Sequence, residues 1–105
     1  MSTEVLHSTL VRGAQAGSQP SLLLEVPHGA TRLADFHALR SGLRGAFPQD
    51  LEAFFCVNTD VGAPELAYAI ALELTARDPR ACVRVVRCLI PRTFVDCNRV
   101  IDRAT

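Results

Sequence analysis

Three stretches of this 105-residue chain carry side-chain types suited to chemistry. The first is His28, in Glu25-Val26-Pro27-His28-Gly29-Ala30-Thr31. An imidazole can ligate a metal or move a proton. Gly29 beside it lets the backbone turn sharply and a ligand approach closely. The plain alternative is a structural or solvated loop histidine. The second stretch is Asn58-Thr59-Asp60, just before a helical pattern. Asp60 suits a metal or substrate role, and Asp60 or Thr59 equally suits a helix cap. The third is Arg92-Thr93-Phe94-Val95-Asp96-Cys97-Asn98-Arg99. If this segment is extended, side chains alternate, so Asp96 and Asn98 share a polar face opposite an inward pair, Val95 and Cys97. Arginine beside asparagine can clamp a carboxylate through charge-assisted hydrogen bonds, and Asp96 can orient Arg92 or Arg99. A salt-bridged edge strand is the plain reading of the same residues.

The elements between these stretches must position them. Val5 to Val11 is apolar enough for a short strand or a loose lead-in, and residues 13–21 read as a loop. Leu22 to Val26, ended by Pro27, predicts a central strand covered on both faces. His28 would then sit just past a strand's carboxyl end, where open α/β sheets bind ligands. Phe36, Leu39, Leu43 and Phe47 have helical spacing, with Asp35 near the start. Gly42 and Gly45 weaken that helix by roughly 1 kcal/mol each, so it can break there. Gln49 to Phe55 reads as a helical turn leading into an extended Cys56 to Asp60. Ala63 to Arg77 is the clearest helix, with Pro64 in its first turn and Leu66, Ile70 and Leu74 as its apolar stripe. Val83 to Ile90 is a valine-rich strand, and Phe94 to Asn98 a short extended piece. Strand, helix, helix, strand predicts one α/β domain over residues 1–105, with a largely parallel sheet flanked by helices.

Composition bounds the partners. Eleven basic residues balance eleven acidic ones. That balance argues against nucleic-acid and anionic-membrane partners, which need a basic surface. It leaves room for a small anion held by one or two arginines. The start, with Glu4 and no basic run, lacks a signal-peptide pattern, and no apolar run approaches the roughly 20 residues of a bilayer span. A cytoplasmic location is the expectation. Cys56, Cys82, Cys88 and Cys97 form no CxxC pair and read as small buried apolar residues, not a zinc knuckle or a disulfide framework. His7 and His37 receive no role.

The order Pro27-His28-Gly29, Asp60 before a helix, then Arg92-x-x-x-Asp96-x-Asn98-Arg99 resembles the N-formylglutamate amidohydrolase family. Members of that family carry a Pro-His motif near the N-terminus and a later Arg-x-Val-Val-Asp-Leu-Asn-Arg signature. The resemblance spans about Leu22 to Ile101, and the Asp-x-Asn-Arg piece is its most specific part. It implies a zinc-exopeptidase-like (phosphorylase/hydrolase-like) α/β fold, of which this chain holds the N-terminal part. The implied activity is metal-dependent hydrolysis of an N-acyl amino acid such as N-formyl-L-glutamate. By the same likeness His28 is a ligand to a divalent metal, zinc by preference. Asp60 is a second ligand or site carboxylate, and Asn98 and Arg99, with Asp96, serve the substrate carboxylate. Arg92 polarises the scissile carbonyl or helps bind the anion.

Two departures accompany the likeness. The related zinc carboxypeptidases use His-x-x-Glu, and Thr31 stands where that glutamate would be. Family members are longer and supply a further histidine and a catalytic acid downstream, whereas no histidine follows His37 here. The expectation is a truncated site that self-associates or needs a partner segment. The alternative function is a non-catalytic α/β module that binds an anionic metabolite or a partner chain.

Overall fold

The computed structural model describes residues 5–97 of the 105. In chain order the elements are β1 (Leu6–Arg12), β2 (Leu22–Val26), α1 (Leu33–Gly42), α2 (Leu51–Val57), α3 (Ala63–Arg77) and β3 (Cys82–Cys88). The three strands form one sheet in the order β1-β3-β2. β2 and β3 run parallel, with Leu24 opposite Val85, while β1 and β3 run antiparallel, with Thr9 opposite Val85. The sheet is therefore mixed, not largely parallel. A crossover through helices makes β2 and β3 parallel, whereas β1 pairs with β3 in the opposite sense.

The valine-rich β3 takes the central place. Val83 and Val85 are fully buried and pack with Val26, Ala67 and Ala71. Each fully buried valine contributes about 1.5–3 kcal/mol relative to an exposed one. β2 is an edge strand, with Leu23 and Glu25 exposed, so the expected central strand is displaced to the side. A continuous apolar run does not separate a two-face strand from an edge strand; only the pairing does.

α3 buries Pro64, Ala67, Ala71 and Thr75 and leaves Leu66 62% and Ile70 44% exposed. The expected stripe of Leu66, Ile70 and Leu74 is thus corrected; only Leu74 of the three packs against the core. Small residues at i, i+4 spacing let a helix approach a sheet of valines closely, and Thr75 satisfies its buried hydroxyl on the Ala71 carbonyl at 2.9 Å.

α1 ends at Gly42, short of Phe47, as the glycine pair allows. The expected extended piece from Cys56 is instead the end of α2, which continues to Val57. Gly62, at φ +92°, turns the chain into α3 through a left-handed conformation that glycine adopts without strain. No helix among the described residues is long and apolar enough to cross a membrane.

Candidate functional site

Because β2 and β3 are parallel, the segments that follow them leave the sheet at the same end. Pro27 and His28 continue β2, and the stretch through Asp96 continues β3. Asp60 arrives at that end from the loop between α2 and α3. The three predicted residues meet there. His28 Nδ1 lies 2.8 Å from Asp60 Oδ2, and Nε2 lies 2.8 Å from Asp96 Oδ1. Arg92 Nε is 3.6 Å from the other oxygen of Asp96.

Several local contacts impose this arrangement. A Cβ on Gly29 would come within 2.9 Å of Arg87 Cβ and 3.0 Å of the Cys88 carbonyl oxygen, so the loop after β2 lies directly on β3. Arg87 donates to the Gly29 carbonyl at 2.8 Å. Thr59 donates to the Ala30 carbonyl at 3.1 Å, which ties the Asp60 loop to the His28 loop. Asp60 does not cap α3: the N-cap is Gly62, without a side-chain bond, and the Asp60 side chain is turned to His28. Thr59 likewise serves the loop and not the cap.

The third stretch is not an extended strand. Phe94 and Val95 donate backbone hydrogen bonds back to the Pro91 carbonyl, forming a turn. Val95 and Cys97 are exposed, so the expected inward pair is overturned. The anchor is Phe94, stacked on buried Phe36 at 5.4 Å between centroids, with Phe36 also 5.1 Å from buried Phe55. Asp96 is thereby held against His28. Asn98 and Arg99 lie outside the described residues.

The two ring nitrogens of His28 differ in surroundings. Asp96 is 21% exposed and paired with Arg92, while Asp60 is 45% exposed. A groove of about 230 Å³ opens on the Asp60 side, bordered by His28, Ala63, Leu66 and Ile70. A neutral imidazole carries one N–H, so it donates to one carboxylate only; donating to both requires the imidazolium. The two carboxylates face opposite ring nitrogens and so do not converge on one point. Among the described residues no group of three or more His, Cys, Asp and Glu side chains is placed to hold a metal ion.

Beside the site, Asp35 caps α1. Burial pushes its carboxyl up, but hydrogen bonds from the Arg32 side chain and backbone N–H, with the charges of Arg32 and Arg87, bring it below its ordinary value of 3.8. The same pairing raises the Arg32 guanidinium. Of the cysteines expected to be buried, only Cys82 is; Cys56 and Cys97 are exposed and Cys88 is half-buried. Burial of its thiol, then the Cys88 hydrogen bond and the charges of Cys88 and Asp96, push Cys97 up to about 11.

Sequence reasoning missed Thr59, Arg87 and Phe94 as the residues that hold the site in place. The available signal for Phe94 was an aromatic between Arg92 and Asp96, too short a pattern to assign. His7 lies near the Tyr68 hydroxyl at 3.3 Å, and His37 is 3.7 Å from Glu52 on an exposed flank. No protein-family model, curated protein or solved structure matches this chain.

Proposed function

We propose that this chain carries part of a metal-dependent amidohydrolase site acting on an N-acyl amino acid of the N-formyl-L-glutamate type, on a zinc-exopeptidase-like fold. The observation that supports it most is His28 held between two carboxylates at the carboxyl ends of a parallel strand pair. Its support in sequence is the Asp96-x-Asn98-Arg99 motif.

The environments of the two ring nitrogens divide the roles. The Nδ1 side, with Asp60 and the groove, is where a cation would be held. With Nδ1 turned to the cation, the His28 Nε2–H would donate to Asp96 on the other side. This is the outer carboxylate arrangement that fixes the tautomer and raises ligand basicity. Arg92, with Nε 3.6 Å from Asp96, offsets that carboxylate's charge, and its guanidinium would polarise the scissile carbonyl or help bind the anion. The donor set suits zinc in kind, nitrogen plus carboxylate oxygen, and supplies two of the three protein ligands common in catalytic zinc sites. A bound divalent ion would supply Lewis-acid chemistry toward an amide and acidify a water. Asn98 and Arg99 would hold the substrate carboxylate, and the groove beside Asp60 would admit the substrate.

Zinc affinity, measured by competition with a chromogenic chelator, tests the reading on the chain, on His28→Ala and on Asp60→Ala. The expected result is weak binding that both substitutions abolish. Hydrolysis of N-formyl-L-glutamate is assayed with zinc on this chain and on the longest natural reading frame that contains it. No zinc binding and no turnover in either would overturn the proposal. N-formyl-L-glutamate binding without any dependence on zinc would favour a non-catalytic anion-binding module.

A further inference from the structure

The thiols of Cys88 and Cys97 lie 3.4 Å apart, and the proposed hydrolytic site uses neither. Cys88 is the last residue of β3. Cys97 follows Asp96 directly in the turn that Phe94 anchors. Both line a solvent-open groove of about 210 Å³ together with Leu6, Glu25, Pro27 and Val86, so a small reagent can reach the pair. We propose that Cys88 and Cys97 are a redox modification site: they form a reversible intramolecular disulfide that clamps Asp96 against His28. The inference goes beyond the hydrolytic reading and does not depend on it.

Geometry favours the step. The sulfurs must close from 3.4 Å to about 2.05 Å, over a chain separation of nine residues, with one partner exposed. The oxidant is a low-molecular-weight disulfide such as oxidised glutathione. One cysteine thiolate attacks it, forms a mixed disulfide and expels the first small thiolate. The second cysteine thiolate attacks the protein-bound sulfur, forms the Cys88–Cys97 bond and expels the other. The cysteines lose two electrons and two protons, and the reagent leaves as two thiols. Tying Cys97 to the end of β3 restrains the main chain at Asp96, and with it the carboxylate that meets His28 Nε2 at 2.8 Å.

The remaining thiols serve as internal controls: Cys82 is buried in β3, and Cys56 is exposed on α2. The full chain is incubated with oxidised glutathione in mildly alkaline buffer, its free thiols are counted, and it is digested with trypsin. Cleavage after Arg87, Arg92 and Arg99 puts Cys88 and Cys97 on separate peptides. The expected result is loss of three of the four thiols, Cys56 as a glutathione adduct and Cys88 with Cys97 as a linked pair of peptides, Cys88–Arg92 and Thr93–Arg99, with full recovery by a reductant. Cys97→Ser should show no such linkage and should end as the mixed disulfide at Cys88. In the oxidised protein, proton exchange at the His28 ring N–H should slow several-fold by NMR. Glutathione stably attached to Cys88 and Cys97 separately, or linkage only through Cys56, would overturn the disulfide. Unchanged His28 exchange in the linked protein would overturn the clamp.

Discussion

His28 Nε2 and Asp96 Oδ1 stand 2.8 Å apart although 68 residues separate them in the chain. Asp60, 32 residues from His28, occupies the other ring nitrogen at the same distance. The two carboxylates are chemically alike but placed differently, one beside an arginine and one beside an open groove. Their substitutions should therefore have different consequences.

In a zinc-loaded protein, Asp96→Asn should weaken zinc by about 10–100-fold, the range for an outer partner of a ligating histidine. Asp60→Asn should cost more if Asp60 ligates the ion directly, because it removes the negative charge of a ligand. Chelator competition on the two variants reads the order, and equal losses would place both carboxylates at the same distance from the ion.

Arg99→Ala should weaken binding of an N-acyl amino acid by about 2–5 kcal/mol if its guanidinium pairs with the substrate carboxylate at a buried position. Arg99→Lys should recover little, because lysine lacks the planar fork. Titration calorimetry with N-formyl-L-glutamate checks both, and an unchanged affinity in Arg99→Ala would make the arginine structural.

Gly29→Ala should destabilise the fold by about 1–3 kcal/mol, the usual cost of overpacking. The new methyl would meet Arg87 Cβ at 2.9 Å and the Cys88 carbonyl oxygen at 3.0 Å. Urea unfolding measures the loss. Because the backbone on β3 has little room to yield, the His28 ring resonances should shift in the same variant.

Asp35 makes stability depend on acid. Its folded value lies below the ordinary 3.8, so its stabilising contribution is complete above that value and fades as pH falls through the folded value. Arg32, on the exposed side of the pair, limits the size of the effect. Asp35→Asn should be less stable than the parent at neutral pH, and the difference should shrink below pH 3.8. Urea midpoints across that range measure it, and a constant difference would assign Asp35 a packing role alone.

How far the sequence reached depended on the range of the interaction. Pro64 at the start of α3, the glycines that end α1 and the valines of β3 act through their immediate neighbours, and these elements were legible from local pattern. The residue types of the site, His28, Asp60 and Asp96, were also legible, because imidazole and carboxylate chemistry belongs to the side chain itself. The tertiary structure decided what periodicity leaves open. α3 has two i, i+4 stripes, and the sheet accepted the one of Ala67, Ala71 and Thr75 because small side chains allow close approach, leaving Leu66 and Ile70 outside. Strand order made β2 an edge and set β1 antiparallel, since pairing partners are chosen by burial across the whole chain. Phe94 folded the last stretch into a turn by stacking on Phe36, a contact between residues 58 positions apart that no local window contains. That stacking, not the alternation of a strand, brings Asp96 to His28 and Cys97 to Cys88.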